Sequence, residues 1–182
     1  DIAVLHDGGV QGTKMFGIGG RAFTRTIERE MGILFTQAEE YKLALSSNHL
    51  PVNKATAIKH TLDKTLDVWV SGIELALGEF TMSDHLPHQV LLCGGGSSLD
   101  MLMDRLEQSS WYKELPFTKR PTVQHIQPED VVGIIDRTGD VNDHTFITAM
   151  GLLRVGLDTL QSQDSSRQAG SIKERLDRML QI

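Results

Sequence analysis

Cysteine occurs once in the 182 residues, at position 93, so no disulfide can close within the chain, and this usage fits a reducing cytosol. Cys93 ends an apolar run, which predicts a buried small hydrophobe rather than a nucleophile. Long hydrophobic runs are also missing. None approaches the ~18 residues needed to cross a bilayer, and no signal-peptide pattern opens the chain. Positive charge is not in surplus: 18 Lys and Arg stand against 24 Asp and Glu, a net charge of −6. That balance argues against a general nucleic-acid binder, which needs a basic face. An initiator Met is absent too, so a chain beginning at Asp1 reads as a piece cut from something longer. The length suits one good-sized domain or two small lobes sharing a core.

Glycine is concentrated where it matters. Gln89-Val90-Leu91-Leu92-Cys93-Gly94-Gly95-Gly96-Ser97-Ser98-Leu99 reads as a short buried strand over Val90–Cys93, then a tight turn. A helix carrying Leu99, Leu102, Met103 and Leu106 follows, with Ser97 or Ser98 predicted as its cap. Backbone N–H groups can approach a ligand closely at such a turn, and a helix N-terminus favours phosphate. A plain strand-to-helix turn without a ligand satisfies the same pattern. Two better-known glycine motifs are excluded. No Lys followed by Ser or Thr completes a Walker A loop, and Leu99 or Ser98 stands where a dinucleotide fingerprint needs glycine.

Upstream, Asp1–His6 and Val10–Ile18 predict two strands joined at Asp7-Gly8-Gly9. Phe23, Ile27 and Met31 share a helix face over 22–31. Thr36 with Glu39 predicts a capping box for a second helix, which carries Ala38, Tyr41, Leu43 and Leu45 and stops at Ser46-Ser47-Asn48. Asn53 is the predicted cap of the longest helix, running to about Phe80 with Ile58, Leu62, Leu66, Trp69, Val70, Ile73 and Leu77 inward. Residues 122–126 predict a strand, 136–143 a polar loop and 144–156 a helix. A linker over 161–170 precedes an amphipathic helix, 171–182, with Ile172, Leu176, Met179 and Leu180 on one face.

Smaller constellations read blandly. His85 and His88 have the spacing of a metal pair, but no Cys and few carboxylates lie near them in sequence. Asp136, Asp140, Asn142 and Asp143 lack calcium-loop spacing and its terminal Glu, so they read as a solvated turn capping the helix at His144. No Ser–His–Asp arrangement is apparent. Glu39 and Lys42, three apart, share one helix face and form either a surface ion pair or half of a binding site.

In order, a hairpin with an Ile18-Gly19-Gly20 exit, paired helices, a long helix and a strand–Gly-Gly-Gly–helix unit resemble the actin-like ATPase superfamily. Asp1-Ile2-Ala3-Val4 is similar to the strand after the family's second phosphate loop. Ala38-Glu39-Glu40-Tyr41-Lys42 resembles its adenosine-flanking Ala-Glu-x-x-Lys helix, and Ala149-Met150-Gly151-Leu152 its Ala-x-Gly-Leu hinge helix. Phe16-Gly17-Ile18-Gly19-Gly20 followed by Thr24 is similar to the exit found in the bacterial cell-division branch, FtsA. Pilus-assembly ATPases of the same fold share most of these features.

The resemblance implies a ribonuclease-H-like α/β lobe over 1–160, with a helical subdomain over roughly 36–88. It implies an ATP site, with Mg, in which Gly94, Gly95, Gly96, Ser97, Glu39 and Lys42 hold the adenosine side. Both phosphate loops and the carboxylate that positions water would lie upstream of Asp1, since no Asp-x-Gly-Thr pattern occurs here. This chain alone is therefore not expected to hydrolyse ATP. The implied function is a filament-forming scaffold that links the division ring to the membrane. Its implied partners are further copies of itself, the tubulin homologue FtsZ and other division proteins, with no nucleic acid. Localisation would be cytoplasmic, peripheral at the inner membrane through the tail, although Glu174, Asp177 and the lack of Trp or Phe predict weak lipid binding. The alternatives are a pilus-assembly platform protein and a small-molecule kinase of the same fold.

Overall fold

A computed structural model of the chain describes residues 1–80 and 85–161. The elements mix helices with short strands, in two compact units, Asp1–His125 and Ile126–Ile182. The first unit opens with a hairpin of β1 (Ile2–His6) and β2 (Gly9–Lys14). Asp7 and Gly8 turn it with φ of 50° and 75°, the paired positive values that suit a two-residue hairpin loop. The ladder carries a bulge: Val4 faces Gly12 but Leu5 faces Val10, which leaves Gln11 as the extra residue. β2 stops at Lys14, four residues short of the predicted strand end.

Three helices follow: α1 (Gly20–Met31), α2 (Phe35–Ser46) and α3 (Val52–Gly78). Neither predicted cap forms. Thr36 lies inside α2, which starts after Leu34 without a side-chain cap, and Glu39 is engaged elsewhere. Asn53 lies inside α3, which starts after Pro51, a residue that presets the entry backbone. The end of α2 is better marked. Asn48 takes a φ of 56°, and the His49 and Asn48 N–H groups reach back to Ala44 O and Leu45 O, a Schellman closure.

At 27 residues, α3 is the spine of this unit and supplies two hydrophobic clusters. Its first half gives Ile58, Leu62 and Leu66 to a cluster with Phe23 and Ile27 of α1, Ala38 and Leu45 of α2, and Leu99 and Leu102. Its second half gives Val70, Ile73 and Leu77 to a cluster with Val4, Leu86, Leu106, Trp111 and Leu115. Trp69 packs against both. The predicted α3 face is the buried one, whereas Leu43 of α2 points outward. Two glycines fit the hairpin region onto α3. The Gly72 Cα faces the Phe16 ring, and a Cβ on Gly12 would stand 2.8 Å from Phe80 Cε1.

After the undescribed residues 81–84, β3 (Gln89–Leu92) leads through a 3₁₀ turn, Gly95–Ser98, into α4 (Asp100–Gln108) and on to β4 (Thr122–His125). β3 and β4 pair in parallel, from Gln89↔Thr122 to Leu92↔His125. Parallel neighbours require a crossover, and α4 occupies it. Arg105 of α4 bridges Asp63, at 2.8 Å, and Asp67 on α3, tying crossover to spine. Cys93 falls beyond the strand and is exposed, contrary to the buried hydrophobe expected, because β3 has already ended at Leu92.

In the second unit, Asp143 caps a 3₁₀ turn at His144–Phe146 by accepting from the Thr145 N–H at 2.8 Å. Residues 147–161 are helical, so the helix runs past the predicted end at Gly156. The predicted tail helix, with Ile172, Leu176, Met179 and Leu180, lies outside the described residues, as does the linker from 162 onward.

Candidate functional site

Two groups of predicted residues lie on the same unit. The first is the glycine turn. Gly94 adopts φ 82° and ψ 160°, a region open essentially to glycine alone. Gly95 and Gly96 are exposed, and a Cβ on either would meet nothing within 4 Å. Their open sides are therefore available to a ligand. The serines do not cap α4, which starts at Asp100 after Leu99. Ser97 instead closes the turn on itself: its N–H and its hydroxyl donate to Gly94 O at 3.0 and 2.8 Å. His125 Nε2 meets Ser97 O at 3.1 Å, pinning the turn to the end of β4.

The second group joins α1 to α2. Lys42 Nζ lies 2.9 Å from Glu39 Oε1 and 2.9 Å from Oε2. It also reaches Thr24 Oγ1 at 3.0 Å and Gly20 O at 3.2 Å. Thr24, wholly buried, donates its hydroxyl to Glu39 Oε2. Partial burial alone would raise the Glu39 pKa. The Thr24 hydrogen bond, the Lys42 hydrogen bond and charge, and the Arg21 charge outweigh it and hold the carboxyl below its ordinary value. Glu39 is thus an anion at neutral pH. Its side chain is 35 % exposed, against 11 % for Lys42, so the carboxylate is the part that meets solvent.

The two groups flank one core cluster. Ala38, beside Glu39, and Leu99, immediately after the glycine turn, are both buried in it. Sequence reasoning singled out Glu39, Lys42 and the four turn residues as candidates, but not the Gly20 carbonyl or the Thr24 hydroxyl that contact Lys42. The signal for Thr24 was its position after Gly19-Gly20; its contact with Glu39, 15 residues away, depends on how α1 packs on α2. The surface hollow at the C-terminal end of α3, lined by Ser71, Glu74, Leu75, Gly78 and Glu79, contains none of these residues.

The metal candidates make other contacts. The His85 ring meets His6 edge to face at 6.4 Å between centroids, while the backbone carbonyl of His88 accepts from Thr122 N–H at 2.8 Å. In the second unit the Asp136 carboxylate accepts from the Thr138 side chain and from the N–H groups of Thr138, Gly139 and Val141. Thr138 and those N–H groups pull the Asp136 pKa down to about 2. The carboxylate is occupied by its own turn. Among the described residues no group of three or more His, Cys, Asp or Glu side chains could hold a metal ion, and no helix is long and apolar enough to cross a membrane.

No family model matches the chain, and no curated protein matches it.

Proposed function

We propose that this chain is the second lobe of an actin-like ATPase of the cell-division type, built on a ribonuclease-H-like sheet. The reading is supported above all by Glu39, Lys42 and the Gly94–Ser97 turn standing around one hydrophobic cluster. A sugar-bearing nucleotide needs a fixed hydroxyl acceptor on one side and a backbone free of side chains on the other. Glu39 supplies the first, and the open faces of Gly95 and Gly96 supply the second. ATP would bind with Mg, its phosphates held by segments preceding Asp1, so that hydrolysis belongs to the longer protein.

Self-association into filaments is part of the proposal. Large apolar side chains that stand exposed, among them Leu5, Val10 and Leu91, favour burial against other protein surface. FtsZ and other division proteins would be the further partners. Attachment to the cytoplasmic face of the inner membrane would run through the 171–182 segment.

Substitution of Gly95 tests the site. Its φ is ordinary and its Cα faces open space, so Gly95→Trp is expected to leave the thermal midpoint unchanged. In the full-length protein the same change should abolish ATP binding, read by isothermal titration. Unaltered affinity removes the glycine turn from the site.

A further inference from the structure

The hydrogen atoms in the Thr24–Glu39–Lys42 cluster can be counted. An ammonium group has three donors and no acceptor. Lys42 directs its donors at Gly20 O, Thr24 Oγ1 and Glu39, all within 3.2 Å. A hydroxyl has one donor. Thr24 Oγ1 stands 3.0 Å from Gly20 O and closer still to Glu39 Oε2. The single Thr24 hydrogen goes to the nearer and charged acceptor, Glu39 Oε2, and Gly20 O keeps the Lys42 hydrogen. One Lys42 hydrogen remains for Glu39 and is shared between Oε1 and Oε2, both 2.9 Å away, while Oε2 also accepts from Thr24. The spare capacity of the cluster is a lone pair on a partly exposed carboxylate oxygen. An arriving ligand meets an acceptor and must bring a donor.

We propose that Thr24 is a positioning residue for nucleotide binding: with Lys42, it holds Glu39 as an acceptor-only site that reads a ribose hydroxyl. Lys42 then acts through Glu39 and not by touching the sugar. The inference rests on the reading of this face as the adenosine side of an ATP site. Loss of the Thr24 hydroxyl frees one Lys42 donor and leaves the carboxylate free to rotate, so the distinction between a sugar with and without that hydroxyl fades.

The test uses the full-length protein with ATP, 2′-deoxyATP and 3′-deoxyATP, titrated calorimetrically, together with carboxyl carbon NMR of Glu39. The native protein should prefer ATP to at least one deoxy analogue by about tenfold or more, as expected for a hydrogen bond to a charged group. Thr24→Val should reduce that preference to within about twofold and move the Glu39 titration towards the ordinary carboxyl range. Thr24→Ser, which keeps the hydroxyl, should retain both properties. Thr24→Ala removes the hydroxyl from a smaller side chain and must behave like Thr24→Val, which guards against a packing artefact. Retained preference in Thr24→Val and Thr24→Ala overturns the role of Thr24. Equal native affinity for ATP and both deoxy analogues overturns the acceptor assignment while leaving ATP binding standing. No ATP binding by the native full-length protein overturns the nucleotide reading and this proposal together.

Discussion

Glu39 does at the residue scale what its neighbours make it do. A carboxyl losing water would normally become harder to ionise, yet here a hydroxyl and an ammonium donate to it and reverse the sign. Its folded pKa lies below 4.5, and that of Asp136 is about 2 against 3.8. Both groups therefore contribute stability that is present above their unfolded pKa values and is lost as pH falls through the folded ones. The thermal midpoint of the native chain is expected to hold from pH 7 to about 5 and to fall below that. Glu39→Gln should start lower at pH 7, having lost its charge-assisted bonds, and fall less steeply in acid. Parallel curves for native and variant would mean that the carboxylate contributes nothing through its ionisation. The Glu39–Lys42 pair was legible from spacing because an i,i+3 relation is local. The capping box was misread for a related reason: the same Glu39 that suits a cap at Thr36 has a stronger partner in Thr24, which only helix packing brings near.

Element boundaries follow from which backbone groups find partners. The face of α3 was legible at 3.6-residue spacing, and Ile58, Leu62 and Leu66 are wholly buried as expected. Its start was not, because the chain enters the helix after Pro51, and Asn53, two residues past that cap position, uses its side chain locally on the Lys54 N–H at 2.9 Å. The fit of the hairpin to α3 was equally invisible, since nothing in the pattern of residues pairs Gly12 with Phe80 or Gly72 with Phe16. These contacts nonetheless set how the first two strands sit on the spine. Gly12→Ala would drive a methyl group to 2.8 Å from the Phe80 ring edge. It is expected to cost about 1–3 kcal/mol, as overpacking does. Gly17→Ala, in the same segment with open space around it, should be neutral or stabilise by up to about 1 kcal/mol by restricting the unfolded chain. Chemical denaturation of the two variants against the native chain measures the difference, and equal midpoints would mean that Phe80 moves aside freely.

For the whole molecule, the inward faces of both strand pairs are accounted for: Val4 is buried in the same cluster that Val90, Leu92 and Val123 pack against. The outward faces are not, since Leu5 is 57 % and Leu91 47 % exposed. Such residues could not be recognised as exposed from sequence, because a short apolar run such as Val90–Cys93 reads the same whether one face is buried or both. Alternation in the folded strand separates them, with Val90 and Leu92 half-buried beside an exposed Leu91. Isolated apolar side chains at a surface are ordinary, and these two stand on separate sheets, β1–β2 and β3–β4, but burial of each against other protein surface would release water. If copies of this chain associate through these outward side chains, association must weaken when they are replaced by charges. Sedimentation velocity over a rising concentration series should show reversible self-association of the native chain. The double variant Leu5→Lys, Leu91→Lys should shift the apparent dissociation constant upward by at least about tenfold, since two apolar side chains of this size each contribute more than 1 kcal/mol when buried. Its thermal midpoint should stay within the change expected of surface substitutions, about 0.5 kcal/mol in stability. A native chain that remains monomeric at every concentration, with and without ATP and Mg, would detach these side chains from self-association and leave the nucleotide site to be judged on Glu39 and the glycine turn alone.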